Sequence, residues 1–256
     1  MKLAVIGKGA IARYVGAMAA ARGHEIGAVL VRPEAVGTAQ GYVGAVRDLP
    51  GDTRIVLDCA GHQALAQFGP EILSRGIDVI TVSIGALADR DLADRLERAA
   101  RDGGATLHLA SGAIGALDCL SAASVGGLRA VTYRGRKPPA GWKGSPAEAQ
   151  LDLDALSAAA THFDGNAGQA ALAYPKNANV AAVVALAGLG FEATRVQLIA
   201  DPTITRNIHE LSAEGEFGTF RFEISGNALP DNPRSSALAA MSVLSKLDQI
   251  TQKVSI

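Results

Sequence analysis

The chemistry-bearing side chains of this sequence are few. Five histidines, at 24, 62, 108, 162 and 209, and two cysteines, at 59 and 119, are the residues whose types could transfer protons, attack carbonyls or hold metals. His209 stands in the polar run Asp201-Pro202-Thr203-Ile204-Thr205-Arg206-Asn207-Ile208-His209-Glu210. An imidazole titrating near neutrality there suits movement of the proton that accompanies hydride transfer. The same pattern also fits a strand histidine bonded to a neighbour. His24 reads as a surface residue, His108 as a satisfied residue inside an apolar strand, and His162 as a residue of a helical or loop region. Two cysteines give neither a disulfide framework nor metal-ligand spacing. Cys119, after Leu117-Asp118 in an Ala-rich helix, reads as buried packing, and Cys59 reads likewise at a strand end. No metal site is expected.

A second pattern is glycine-based. Gly7-Lys8-Gly9-Ala10-Ile11-Ala12 fits G-x-G-x-x-G/A, after an apolar strand and at the opening of a helix. Gly7 permits the tight turn, Gly9 lets backbone approach a pyrophosphate, and Ala12 keeps helix and strand close. The N–H groups of Ala10 and Ile11 open a helix whose positive dipole end favours phosphate. A dinucleotide, NAD or NADP, is the cofactor expected. The second strand ends near Val31-Arg32-Pro33 without the acidic residue of an NAD-selective site, and Glu34 comes late. Arg32 either meets a 2′-phosphate or is a solvated surface charge. The segment Asp58-Cys59-Ala60-Gly61, before a helix starting at His62, sits where a parallel strand ends, so Cys59 and Ala60 are candidates to cover the cofactor.

The elements that must position these residues follow from periodicity. Apolar runs at Leu3–Ile6, Ile26–Val31, Arg54–Leu57, Val79–Val82 and Thr106–Leu109 alternate with helical spacing at Ala10–Arg22, His62–Ser74 and about Leu87–Arg101. This predicts an α/β N-terminal Rossmann domain with a parallel sheet covered on both faces. After Gly112, Arg129–Arg134, Thr194–Ala200 and Phe217–Ser225 alternate apolar and polar residues. That predicts an α+β C-terminal domain with a mainly antiparallel sheet. Helices are expected around Asp152–Ala160 and Asn177–Leu189, and a loop at Arg136–Pro146. A last helix to about Lys246 is expected, capped by Asp231 or Asn232 with Pro233 in its first turn. The expected division is 1–112 for the dinucleotide, 113–230 for substrate and dimerisation, and 231–256 returning to the first domain.

Composition removes several function classes. With 24 Lys+Arg against 25 Asp+Glu, the chain lacks the basic surplus that nucleic-acid binding needs. The longest uncharged apolar stretch, Val180–Phe191, is short of the roughly 20 residues that span a bilayer. With 48% hydrophobic residues over 256 positions a core can be buried, and a cytoplasmic protein is expected.

Five segments in order, GKGAIA (7–12), LASGAIGALD (109–118), YPKNANVAA (174–182), DPTITRNIHE (201–210) and DNPRSS (231–236), resemble the L-aspartate dehydrogenase family along essentially the whole chain. The resemblance implies oxidation of L-aspartate with NAD or NADP to iminoaspartate. The imine hydrolyses to oxaloacetate and ammonia, or feeds quinolinate and NAD biosynthesis. It also implies a homodimer, a catalytic histidine at His209, and cofactor contacts at Ala113 and Asn179. A dicarboxylate needs cations and helix N-termini, so Lys176, Arg206, Ser235 and Ser236 are candidate substrate ligands. For Ser235 and Ser236 a first helical turn with no ligand fits equally. The rivals are a reductase of the dihydrodipicolinate-reductase type, whose His-His-x-x-Lys segment is absent, and a non-catalytic NAD(H)-binding redox sensor.

Overall fold

The structure, a computed structural model, describes every residue except Lys176, Asp231, Ser255 and Ile256, and describes Pro233 and Arg234 in backbone only. The chain divides into two compact units, residues 1–110 with 239–256, and residues 111–238.

The first unit is built on β1 (Lys2–Ile6), α1 (Ala10–Ala21), β2 (Glu25–Leu30), β3 (Tyr42–Val43), β4 (Ile55–Asp58), α2 (His62–Ser74), β5 (Asp78–Thr81), α3 (Arg90–Gly103) and β6 (Leu107–Leu109). Its strands form one parallel sheet in the order β3-β2-β1-β4-β5-β6. The order reverses between β1 and β4, so a crevice opens beyond the carboxyl ends of these two strands, where ligands of such sheets bind. The strands are apolar on both sides because both faces are covered. Ala4, Ile6, Val56 and Val79 pack with Leu65, Ile72, Leu92 and Leu96 of the helices. Helix α3 starts where the Asp89 side chain accepts from Leu92 N (3.2 Å) and stops at Gly104 with φ +65°.

The second unit contains α4 (Leu117–Val125), β7 (Leu128–Lys137), β8 (Ala160–Asn166), α5 (Ala167–Ala173), α6 (Asn179–Ala187), α7 (Gly190–Ala193), β9 (Arg195–Ala200), β10 (Asn207–Gly215), β11 (Gly218–Gly226), β12 (Ala228–Leu229) and β13 (Asn232–Ser236). Its main sheet runs β11-β10-β7-β9-β8. All neighbours are antiparallel except β7 and β9, which run parallel. Along β7 the residues Val131, Tyr133, Gly135 and Lys137 are buried in strict alternation with Thr132, Arg134 and Arg136. The last helix, α8 (Ala237–Thr251), belongs to the first unit from Ala239 on, where Asp248 approaches Arg22 Nε at 3.8 Å.

Several sequence expectations change. No helix forms over 152–160, because the Asp152 carboxylate accepts from the backbone N–H groups of Asp154 and Ala155 and folds the segment into a turn. Strand β7 runs on through Arg136 and Lys137, which sequence reading assigned to a loop; pairing with β9 outweighs the following prolines. His162 lies on a strand, not in a helix or loop. The last helix begins at Ala237 rather than near Pro233. Residues 232–236 pair instead with β12, an edge position that tolerates a proline. Of the two proposed caps, Asn232 lies in that strand and Asp231 is outside the described residues. Cys119 is exposed, because α4 turns Leu120 and Ala123 inward and leaves position 119 facing out.

Candidate active site

The first unit carries a cleft of about 540 Å³ at the crevice between β1 and β4, lined by Gly7, Gly9, Arg32, Glu34, Cys59 and Ala60 among others. Gly7 has φ +99°, and a Cβ there would stand 2.9 Å from the Ala60 Cβ, so the first turn is closed to any larger residue. Gly9 has no atom within 4 Å of where its Cβ would be. It is also the N-cap of α1, and no side chain caps that helix. The N–H groups of Ala10, Ile11 and Ala12 therefore open the helix with no side-chain acceptor. This open, uncapped helix start beside a glycine that nothing crowds fits a dinucleotide pyrophosphate. Arg32 and Glu34 line the same cleft, one able to meet a 2′-phosphate and the other a ribose hydroxyl.

The wall at β4 is fixed by a residue that sequence reading passed over. Asp58 is fully buried and accepts from Thr81 Oγ1 (2.7 Å) and Ala60 N (3.1 Å), while Thr81 Oγ1 accepts from Ser83 N (2.8 Å). One carboxyl thus ties the turns after β4 and β5. Burial pushes its pKa up, against the hydrogen bonds that hold it down. Burial also pushes up the Cys59 thiol, so Cys59 is no ready nucleophile.

The second unit holds a buried polar cluster around His209. The imidazole is 4% exposed, and its Nδ1 lies 2.7 Å from Tyr133 Oη. His209 stands opposite Gly135 on β7, and a Cβ at 135 would lie 2.8 Å from Tyr133 Oη. Only glycine leaves room for the hydroxyl to reach the ring. Tyr133 is buried and its pKa is raised, so the hydroxyl keeps its proton. Two residues beyond Gly135, Lys137 is 7% exposed. Its Nζ donates to Asn177 Oδ1 (2.7 Å) and lies 4.9 Å from the centre of the Trp142 ring. Among the described residues no carboxylate forms an ion pair with it. Burial lowers the Lys137 pKa to about 8. Burial, with the Lys137 charge as a second cause, lowers His209 to about 3. The expectation of a near-neutral imidazole therefore changes. The group titrating near neutral to mildly alkaline pH is the lysine, and His209 is a neutral hydrogen-bonding ring.

His162 occupies the bulge where the β8–β9 register shifts between Thr161 and Phe163. Its ring meets Trp142 edge-on at 4.3 Å between centroids, and its Nδ1 lies 3.1 Å from Tyr174 Oη. Trp142 is itself anchored through Nε1 to Ile199 O (3.0 Å). Burial first, and the Lys137 charge second, lower His162 to about 4.

The sequence-derived residues thus fall in two groups. Gly7, Gly9, Arg32, Cys59 and Ala60 share one cleft, with Ala10, Ile11 and Ala12 at the helix start beside it. Ala113 and Asn179 belong to the second unit. Ala113 is buried after Gly112 (φ +67°), which approaches Val180, the neighbour of Asn179 at the start of α6. Arg206 is exposed in the turn before β10. Ser235 and Ser236 are partly buried at the end of β13, with Ser235 Oγ accepting from Asn232 Nδ2 (2.9 Å). Lys176 lies outside the described residues. His108 bonds Asp78 (3.1 Å), as a satisfied strand histidine does, while His24 is half-buried rather than on the surface. Tyr133, Lys137, Trp142 and Tyr174 were missed, and His162 was expected in a helical or loop region rather than on a strand. The period-two alternation Val131, Tyr133, Gly135, Lys137, carried past Arg134, was the available signal for two of them.

Comparison with known proteins yields a consistent set. A family model described as aspartate dehydrogenase, C-terminal, matches residues 118–250, and one described as homoserine dehydrogenase, NAD binding domain, matches residues 7–110. An L-aspartate dehydrogenase of Ruegeria pomeroyi is 53% identical over 254 residues, covering 97% of this chain and 92% of the relative. One of Ralstonia nicotianae is 54% identical over 202 residues, covering 79% and 75%. The crystal structure of an aspartate dehydrogenase from Thermotoga maritima superposes with a TM-score of 0.79 at 25% identity, covering 100% of this chain and 99% of that one.

Proposed function

The chain belongs to the aspartate dehydrogenase family, and we propose that it oxidises L-aspartate with NAD or NADP to iminoaspartate, which water converts to oxaloacetate and ammonia. The observation that carries the site assignment is the buried, carboxylate-free Lys137 on the same sheet face as His209. When bound, the dinucleotide supplies the acceptor for the hydride that leaves aspartate Cα. Gly7, Gly9 and the opening N–H groups of α1 hold its pyrophosphate. Arg32 or Glu34 contacts its adenosine ribose, and Cys59 and Ala60 form the wall beyond.

Hydride can leave Cα only once the α-ammonium has lost a proton. Lys137, with a pKa of about 8, is partly neutral at mildly alkaline pH and takes that proton at Nζ. The Trp142 face holds the ammonium, and the bond to Asn177 Oδ1, which a neutral amine can still donate, keeps Nζ in place after deprotonation. His209 stays neutral throughout. With Tyr133 donating to Nδ1, Nε2 carries the ring proton and donates to the reacting carbonyl or imine side. The catalytic role of His209 is thus orientation and hydrogen bonding, while the titrating base is Lys137. Ala113 and Asn179 border the cofactor's reactive end, and Arg206, Ser235 and Ser236 supply further polar contacts to substrate. In this reading residues 1–112 serve the cofactor and 113–230 the substrate. The protein works as a cytoplasmic homodimer whose imine product is available to quinolinate and NAD biosynthesis. No helix among the described residues is long and apolar enough to cross a membrane.

The test follows reduced cofactor by absorbance with L-aspartate and NAD or NADP across pH 6–10. The expected rate rises to a plateau with an apparent pKa near 8. His209→Ala lowers kcat and keeps that limb, whereas Lys137→Met lowers kcat about 100- to 10,000-fold and loses it. No aspartate-dependent signal with either cofactor overturns the reaction. A limb near 8 that survives in Lys137→Met overturns the base assignment.

A further inference from the structure

His162 is a buried titratable group of the second unit that the chemistry above leaves unused. It is 3% exposed, and its Nε2 is buried with no hydrogen-bond partner. The other ring nitrogen fixes what Nε2 is. If Tyr174 donates its hydroxyl proton to Nδ1, the one group left over is Nε2–H. The opposite arrangement strands both the hydroxyl proton and the Nε2 lone pair, so the first is favoured. The lowered pKa keeps the ring neutral. A buried N–H donor without an acceptor is costly and calls for a partner outside the protein's own groups. Lys137 Nζ and the His162 ring both rest on Trp142, and no carboxylate among the described residues pairs with the lysine. A donor and a cation, both buried and both lacking an anion, face the same aromatic ring. The β8 bulge, which inserts His162 as the extra residue, gives this side chain its place.

We propose that His162, through Nε2–H, hydrogen-bonds a carboxylate of the dicarboxylate substrate next to Lys137, and so sets substrate affinity. The proposal rests on the reading of the second unit as the aspartate site. Tyr174 is the positioning residue that holds the ring in the donating tautomer.

The experiment compares wild type, His162→Phe, which removes the donor, and His162→Gln, which restores one. Steady-state kinetics with aspartate are run beside calorimetric binding of succinate, an unreactive dicarboxylate, to protein saturated with oxidised cofactor. In His162→Phe the aspartate KM and the succinate Kd rise together by about 10- to 100-fold, the range for one hydrogen bond to a charged partner. The fall in kcat stays within about threefold and the cofactor KM is unchanged; His162→Gln recovers part of the loss. A merely structural role would lower thermal stability and kcat and leave KM and succinate Kd alone. Aspartate KM and succinate Kd within about twofold of wild type in a folded variant overturn the proposal, and assign the N–H to a buried water. Should His162→Phe fail to fold, the same two constants in Tyr174→Phe, which releases the ring from its donating tautomer, decide it, with no change in either constant again overturning it. If wild type turns over no aspartate while succinate binding still weakens in the variants, the reaction fails and the carboxylate contact stands.

Discussion

Lys137→Met should make the unliganded protein more stable while removing its activity, and the gain should depend on pH in a defined sense. In the folded chain the ammonium has a pKa of about 8, against 10.5 when exposed. The difference of about 2.5 units is about 3 kcal/mol, the cost of keeping this charge buried at pH 7. The shift is a lowering on a cationic acid, so the unfolded chain binds the proton more tightly. Between pH 8 and 10.5 the folded state has released it and the unfolded state has not, and wild-type stability rises with pH across that window. Methionine has similar volume and no charge. Its substitution removes the cost of about 3 kcal/mol and strands Asn177 Oδ1, at about 1 kcal/mol. The net gain is about 2 kcal/mol at pH 7, or about 4–8 °C in Tm for a chain of this size. At pH 9.5 the charge cost has fallen to about 1 kcal/mol and the gain to about zero. Urea and thermal unfolding of wild type and variant at pH 7 and 9.5 provide the measurement. A variant less stable than wild type at pH 7, or a gain equal at both pH values, would refute the picture of a buried, uncompensated ammonium. A site that spends stability on a charge without a partner is poised for an anionic or proton-donating ligand.

The remaining predictions concern both units. Gly135→Ala places a methyl group 2.8 Å from Tyr133 Oη, so the hydroxyl must leave His209; kcat should drop about tenfold with cofactor KM unchanged, and an unaltered kcat would separate Tyr133 from the chemistry. Gly7→Ala meets Ala60 at 2.9 Å from a backbone at φ +99°, and should weaken reduced-cofactor binding, read by fluorescence titration, by at least about tenfold. Arg32→Ala should raise the KM for NADP about tenfold and spare that for NAD, whereas an unchanged NADP KM removes the 2′-phosphate role. Acidification from pH 6.5 towards 4 should destabilise the fold, because the unfolded chain protonates His209 and His162 while the folded chain holds them neutral down to about 3 and 4; urea midpoints at pH 5 and 7 measure the slope, and a flat profile contradicts their burial.

The cofactor half was open to reading because its signals are local. Gly7, Gly9 and Ala12 follow a strand and open a helix within one short segment, and the apolar runs of a sheet covered on both faces stay apolar whatever packs on them. The motif around His209 likewise stood out as a continuous run. The sequence by itself therefore determined the class of fold, the NAD(P) cofactor and the family. Tertiary structure alone decided which groups carry unusual protonation. Tyr133 and His209 meet only through β7–β10 pairing, and Lys137 and His162 meet only on the ring of Trp142. Their pKa shifts come from burial and, for His209 and His162, also from the Lys137 charge, which are properties of three-dimensional neighbours and not of chain neighbours. The same limit explains the misplaced last helix. Asn232–Ser236 carries cap-like residues, and only pairing with Ala228–Leu229 draws it into a strand.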